Sequence, residues 1–122
     1  MNHTMTYITA TGPQPPGTKH DACKPRINLL GQFARALEEV AIVATFGATK
    51  YSDHGWLKLP DGVERYTDAM LRHWLAEHHA EYPAAARDEQ SGRMHAAHIA
   101  WNALARLDLM LRSEEREREG LA

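Results

Sequence analysis

A glutamate set against the most apolar stretch of the chain constrains the fold more than any other feature. In Leu37-Glu38-Glu39-Val40-Ala41-Ile42-Val43-Ala44-Thr45-Phe46, the residues that follow the two carboxylates are apolar around the whole circumference of any helix they form. Such a helix needs cover on more than one face. Burying a carboxylate there is costly unless a partner compensates it, and metal coordination is a common compensation. The plainer alternative has Glu38 in water and Glu39 paired with a nearby arginine such as Arg35 or Arg72.

A chain of 122 residues builds one core rather than two, so residues 1–122 read as a single domain. With 14 Lys+Arg against 16 Asp+Glu the formal charge is −2, and no basic block or basic face points to duplex nucleic acid as a partner. The one cysteine, Cys23, rules out an internal disulfide framework and fits a reducing compartment. No apolar run is long enough to span a bilayer and no signal-peptide pattern opens the chain, so the expected location is the cytoplasm, with no membrane partner.

The chain organises itself around three helices. Residues 1–27 carry Thr11-Gly12-Pro13-Gln14-Pro15-Pro16-Gly17, which disfavours helix and predicts an extended arm. A first helix is expected from Asn28 to Phe46, closed by Gly47 as a left-handed cap. The loop from Ala48 to Asp61 ends in the turn signal Pro60-Asp61-Gly62. A second helix is expected from Val63 to Tyr82, stopped by Pro83, and a third from Ser91 to Arg112, followed by a charged tail over 113–122. The fold class is therefore all-α, an antiparallel helical bundle with an irregular N-terminal arm.

Helical periodicity then indicates which side chains meet. On the second helix Tyr66, Ala69, Met70, His73, Trp74, Glu77 and Glu81 share one face, while Leu71 and Leu75 lie on the other. Two faces want cover, which in a short chain implies that a neighbouring subunit of a symmetric homo-oligomer supplies the second contact. On the third helix Met94, His98, Trp101, Ala105 and Leu109 form a stripe with Asn102 at its edge, beside a second stripe of Ala97, Leu104, Leu107 and Leu111. The His95 and His98 pair lacks a nearby third ligand in the sequence, so hydrogen-bonding roles are favoured over zinc. An antiparallel arrangement sets Glu39 beside residues 73–77 of the second helix and 98–102 of the third. It turns Glu39 toward Glu77 and Glu81, with Glu38 adjacent. Crowded carboxylates repel unless a cation neutralises them, and hard oxygen ligands select Mg²⁺ or Mn²⁺. Neutralising Glu39 or Glu81 should then relieve repulsion in the metal-free chain.

The joint order of several short motifs resembles a known family. Asp21 before Lys24-Pro25-Arg26, then Glu39-Val40-Ala41, Phe46-Gly47-Ala48-Thr49-Lys50-Tyr51, Trp56, Asp68-Ala69, Arg72-His73, Glu81, Asp88, Ser91-Gly92, His95, His98 and Asn102 look like the phage-encoded dATP/dGTP diphosphohydrolases. These are MazG-like all-α nucleotide pyrophosphohydrolases, the phage MazZ enzymes among them, and the likeness runs from about residue 19 to 109. It implies oligomers that hold Mg²⁺ or Mn²⁺, two or more ions, and cleave nucleoside triphosphates between the α and β phosphates. The chain departs from the pattern in places. Glu39 is followed three residues later by Ile42 instead of a second glutamate, Ala80-Glu81 stands where Gly-Glu is usual, and residues 82–87 look like an insertion ahead of Asp88.

On that resemblance the metal ligands are Glu39, Glu81 and Asp88, with Glu38 and Glu77 added by the bundle geometry. Lys50 and Arg72 act catalytically on phosphate charge together with Glu39 and Glu81, and Lys24 adds a phosphate contact. Tyr51 and Trp56 offer flat surfaces to a purine, Asp21 or Asn102 reads its edge, and His73 completes the substrate-binding set. The expected substrate is a purine triphosphate, dGTP or GTP, whose hydrolysis shapes the nucleotide pool of a phage-infected host cytoplasm. Two competitors come from other classes. His20-Asp21 is similar to the signature of HD-type phosphohydrolases, which need further His and Asp ligands from a helical core, and a non-catalytic, oligomeric nucleotide binder is the other.

Overall fold

The computed structural model describes residues 15–18, 22–83 and 86–120. Two compact units divide the chain, residues 1–33 and 34–122. In the first, Thr18 N–H donates to Pro15 O at 3.1 Å, and a 3₁₀ segment spans Ile27–Phe33 with Ile27, Leu30 and Phe33 exposed. Asp21 and His20 lie outside the described residues.

The second unit is all-α. Its helices are α1 (Ala34–Lys50), α2 (Gly62–His79) and α3 (His95–Arg118), with a short 3₁₀ turn at Gly55–Lys58. α1 starts later than the sequence predicts, because the first turns of the expected helix, Ile27–Phe33, are wound as 3₁₀. It also passes through Gly47 instead of ending there. Within the last turns the Thr45 and Thr49 hydroxyls donate to the carbonyls of Ala41 and Thr45, at 2.8 and 2.9 Å, and so are satisfied inside the helix. α2 stops at His79, and Ala80 turns to extended backbone. α3 begins at His95 instead of Ser91 and continues through the charged run to Arg118.

The three helices pack with α2 against α3, and α1 chiefly against α3. Small residues decide how closely they approach. A Cβ on Gly62 would meet Leu109 Cδ1 at 2.8 Å, so the start of α2 sits on the far end of α3 where only a glycine fits without displacing that leucine. Further along, Tyr66 is buried edge-on to Trp101 with ring centroids 5.5 Å apart, and its hydroxyl donates to Trp56 O at 2.8 Å. That bond ties the 3₁₀ turn to α2. Val43, Tyr66, Ala97 and Ala105 make the apolar core, joined by buried His98 and Asn102.

The two apolar stripes expected on α3 are buried only where they adjoin. Leu104, Leu107 and Leu111 remain about half exposed, as do Leu71, Trp74 and Leu75 on α2. Of the all-round apolar segment in α1, Val43 alone is buried. Among the described residues no helix is long and apolar enough to cross a membrane.

Candidate active site

The turn before α3 builds the polar centre of the molecule. Asp88-Glu89-Gln90-Ser91-Gly92 is composed of turn formers, and the Asp88 carboxylate accepts the Ser91 backbone N–H at 2.9 Å. Gly92 closes the turn at φ +72°, a conformation that favours glycine, and donates its N–H to Asp88 O at 2.8 Å. An isolated antiparallel bridge between Arg87 and Met94 returns the chain to α3. The turn thereby seats Asp88 beside the first turn of α3, where His95 and His98 stand one turn apart.

Across from them, α2 contributes His73. Its Nδ1 lies 2.9 Å from Nδ1 of His95, one ring carrying the shared proton and the other accepting it. The His73 ring also stacks on His98 at 4.4 Å between centroids and 12° between planes. His98 Nε2 is 2.6 Å from Ser91 Oγ, and its backbone carbonyl accepts the amide of buried Asn102 at 2.8 Å. Ligand atoms of His73, Asp88 and His95 fall within 4.8 Å of one another, and among the described residues this is the one such group.

Burial governs the protonation of His73 and His98. It lowers the His73 pKa from 6.5 to about 4, aided by the neighbouring His98, and it lowers His98 as well against the pull of Asp88. Both imidazoles are therefore neutral at pH 7. Burial pushes Asp88 up, but the Ser91 backbone and side-chain hydrogen bonds and the nearby histidines outweigh it and leave the carboxyl below its ordinary value. The centre thus offers neutral nitrogens beside an ionised carboxylate.

A cavity of about 650 Å³ opens over this centre. Lys50, Tyr51, Trp56 and Arg72 line it, as expected of substrate contacts from the sequence. His73, Asp88 and Asn102 line it as well. Lys50 Nζ lies 5.4 Å from the Tyr51 ring centroid and 5.6 Å from that of Phe46, and donates to Gln90 Oε1 at 3.3 Å. Lys24 belongs to the first unit and is exposed there.

The expected crowd of glutamates does not form in this structure. Glu38 and Glu81 are exposed, and neither they nor Glu39 and Glu77 line the cavity. Glu39 instead meets Arg93, whose Nε donates to Oε1 at 3.1 Å while Nη2 donates to Oε2. This two-armed pair holds the Glu39 carboxyl below its ordinary pKa. The physical reason for the difference is packing: α1 lies chiefly on α3, so the neighbour of Glu39 is the turn that carries Arg93 and not the end of α2. The arginine alternative applies, with Arg93 in the place expected of Arg35 or Arg72. The relief of repulsion foreseen for a neutral Glu39 accordingly has no basis in this structure.

Sequence reasoning also missed the third partner of the histidines. His95 pairs with His73 from another helix, and Asp88 joins them from the turn, so linear spacing within α3 could not reveal the group. The signal available was the turn chemistry of Asp88 to Gly92 directly ahead of two histidines. Arg65, Asp53 and Gln90 line the cavity too, and no pattern in the sequence singled them out.

The family model described as dATP/dGTP diphosphohydrolase, N-terminal, matches residues 14–119. The chain belongs to this family. The match runs through both arms of the site, from the cavity residues of α1 and α2 to the turn and the histidines of α3. No curated protein and no solved structure matches the chain.

Proposed function

We propose that this chain hydrolyses purine nucleoside and deoxynucleoside triphosphates, dGTP and GTP foremost, to the monophosphate and pyrophosphate. The observation that carries the reading is the coincidence of the family match with one cavity lined by Lys50, Arg65 and Arg72 together with His73 and Asp88. Basic side chains suit a triphosphate, and a volume of about 650 Å³ accommodates a nucleotide.

The donor atoms present fit a divalent cation. Asp88 is ionised and keeps lone pairs beyond the one Ser91 occupies, and His73 is neutral. Asp88 would hold the ion with the histidines beside it, and Glu39, Glu81, Glu77 and Glu38 remain the carboxylates proposed to complete the ligand set around one or more Mg²⁺ or Mn²⁺ ions. Bound there, such ions supply charge neutralisation on the phosphates and a more acidic water. The chain itself does the rest. Arg72 presents a planar fork to phosphate oxygens, Lys50 a point charge, and Lys24 a further contact. Tyr51 and Trp56 offer ring faces to the base, and Asn102, with Asp21, is the proposed reader of its edge. A carboxylate that accepts from the guanine ring N–H and amine would lose both partners with adenine, at about 1–3 kcal/mol.

Two further features of the reading concern assembly and role. The half-exposed leucines of α2 and α3 are the proposed seam of a dimer or tetramer. The proposed role is adjustment of the nucleotide pool in a phage-infected cell.

The test is a panel of eight nucleoside triphosphates with Mn²⁺ or Mg²⁺, products separated by chromatography. Pyrophosphate release, with dGTP at least about tenfold above dATP in kcat/KM, supports the proposal. Equal rates for the two end the guanine preference and leave the hydrolase. Tripolyphosphate instead of pyrophosphate would mean HD-type chemistry, and inertness would mean a binding protein. Glu39→Gln and Glu81→Gln are expected to abolish turnover with the fold intact, and near-normal activity in either removes it from the ligand set.

A further inference from the structure

We infer that His73, Asp88 and His95 form a three-donor site for a single first-row transition dication, of the Mn²⁺ or Co²⁺ type, held in preference to Mg²⁺. The donors come from three places in the chain, α2, the turn and the first residue of α3, and still lie within 4.8 Å of one another. Two imidazoles with one carboxylate are a mixed nitrogen and oxygen set. Imidazole suits transition ions, whereas Mg²⁺ takes oxygen ligands. Donor spacing adds a geometric argument. Ligands at about 2.1 Å from an ion stand about 3.0 Å apart at an octahedral right angle and about 3.4 Å apart in a tetrahedron. The Nδ1 atoms of His73 and His95 are 2.9 Å apart, close enough for one ion to take the place of the proton they share. Three protein donors would leave the ion room for water or phosphate oxygens.

The surroundings hold these donors in place without competing for the ion. His98 lies against the face of the His73 ring, 4.4 Å between centroids, and fixes its plane. Its Nε2 is engaged with Ser91 Oγ at 2.6 Å, and the Ser91 N–H holds the Asp88 carboxylate at 2.9 Å. Such outer partners orient ligands in metal sites. Glu39 is outside the group, since Arg93 occupies both of its oxygens. What the ion does rests on the hydrolase reading, but its binding does not.

The deciding experiment is calorimetric titration of the metal-stripped full chain, without nucleotide, with Co²⁺, Mn²⁺ and Mg²⁺ in turn. The expected result is one Co²⁺ or Mn²⁺ per chain, bound at least about tenfold more tightly than Mg²⁺. His95→Gln and Asp88→Asn should each weaken Co²⁺ binding by at least about tenfold. Far-ultraviolet circular dichroism reports whether the variants fold. The visible spectrum of the Co²⁺-loaded native chain, which needs no variant, should show nitrogen ligation. Co²⁺ bound as tightly by both folded variants as by the native chain overturns the site, as does a Co²⁺ spectrum matching the hydrated ion. Mg²⁺ equal to Co²⁺ overturns the preference. A chain that binds Co²⁺ yet releases no pyrophosphate from any triphosphate ends the hydrolase reading and leaves the site standing. Hydrolysis undiminished in variants that also bind Co²⁺ normally does the reverse.

Discussion

The half-buried imidazole of His73 makes stability depend on pH. Its pKa falls from 6.5 in the unfolded chain to about 4 in the folded one, chiefly through burial. A depressed value means the unfolded state binds the proton more readily, so stability is fully present above pH 6.5 and is lost as pH falls toward 4. Taken at face value, the loss between pH 7 and pH 5 is about 2 kcal/mol. His73 is only half-buried, and solvent screening reduces this to about 1 kcal/mol. For a unit of this size that corresponds to a fall of about 4–8 °C in Tm. His98, also lowered by burial, adds in the same direction. The measurement is thermal unfolding by circular dichroism in chelator at half-unit steps from pH 7 to pH 5, above the range where Glu39 and Asp88 titrate. His73→Gln should shed a large part of the slope. A flat native profile, or a variant with the native slope, refutes the buried neutral imidazole.

Other perturbations reach different parts of the molecule. Gly92→Ala should cost about 1–2 kcal/mol because its φ of +72° is strained for any side chain, and the displaced turn should weaken Asp88-dependent ion binding at the same time. Tyr66→Phe removes the hydroxyl that donates to Trp56 O and should lower stability by about 1 kcal/mol in urea titration, with the 3₁₀ turn loosened. Light scattering at micromolar concentration should give a dimer or tetramer, and monomer alone would sink the assignment of the α2 and α3 leucines to a seam.

Much of the fold was legible because period and punctuation agree. The stripe through Tyr66, Ala69 and His73 does face the cavity, and Asn102 lies buried on α3 as its edge position foretold. The boundaries moved where local chemistry outweighed a single signal. Gly47 could cap a helix, but it does not take the left-handed φ such a cap needs, and α1 continues to Lys50. Ser91 could open one, yet it serves the Asp88 turn instead, and α3 waits until His95. The site was legible in its kinds of residue more than in their pairing. Lys50, Tyr51, Trp56, Arg72 and His73 gather around one cavity, whereas the meeting of Glu39 with Arg93 depends on which helix α1 leans against, and periodicity does not carry that information.

Arg93 explains how an acidic residue beside an apolar stretch is tolerated without an ion. A guanidinium that donates twice to one carboxylate supplies the opposite charge and satisfies both oxygens, which is what coordination to a cation would also do. The two solutions exclude each other at the same oxygens. If Glu39 is a metal ligand, Arg93 must release it, and the freed guanidinium, two residues ahead of His95 in the chain, is then open to the phosphates of the proposed substrate. Arg93→Gln separates the possibilities. A role confined to neutralising Glu39 leaves KM for dGTP unchanged once Mn²⁺ is saturating, whereas a role on the phosphates raises KM whatever the Mn²⁺ concentration. An unchanged Mn²⁺ requirement together with an unchanged KM would mean that freeing the Glu39 carboxylate affects neither metal nor substrate, and Glu39 would then leave the ligand set.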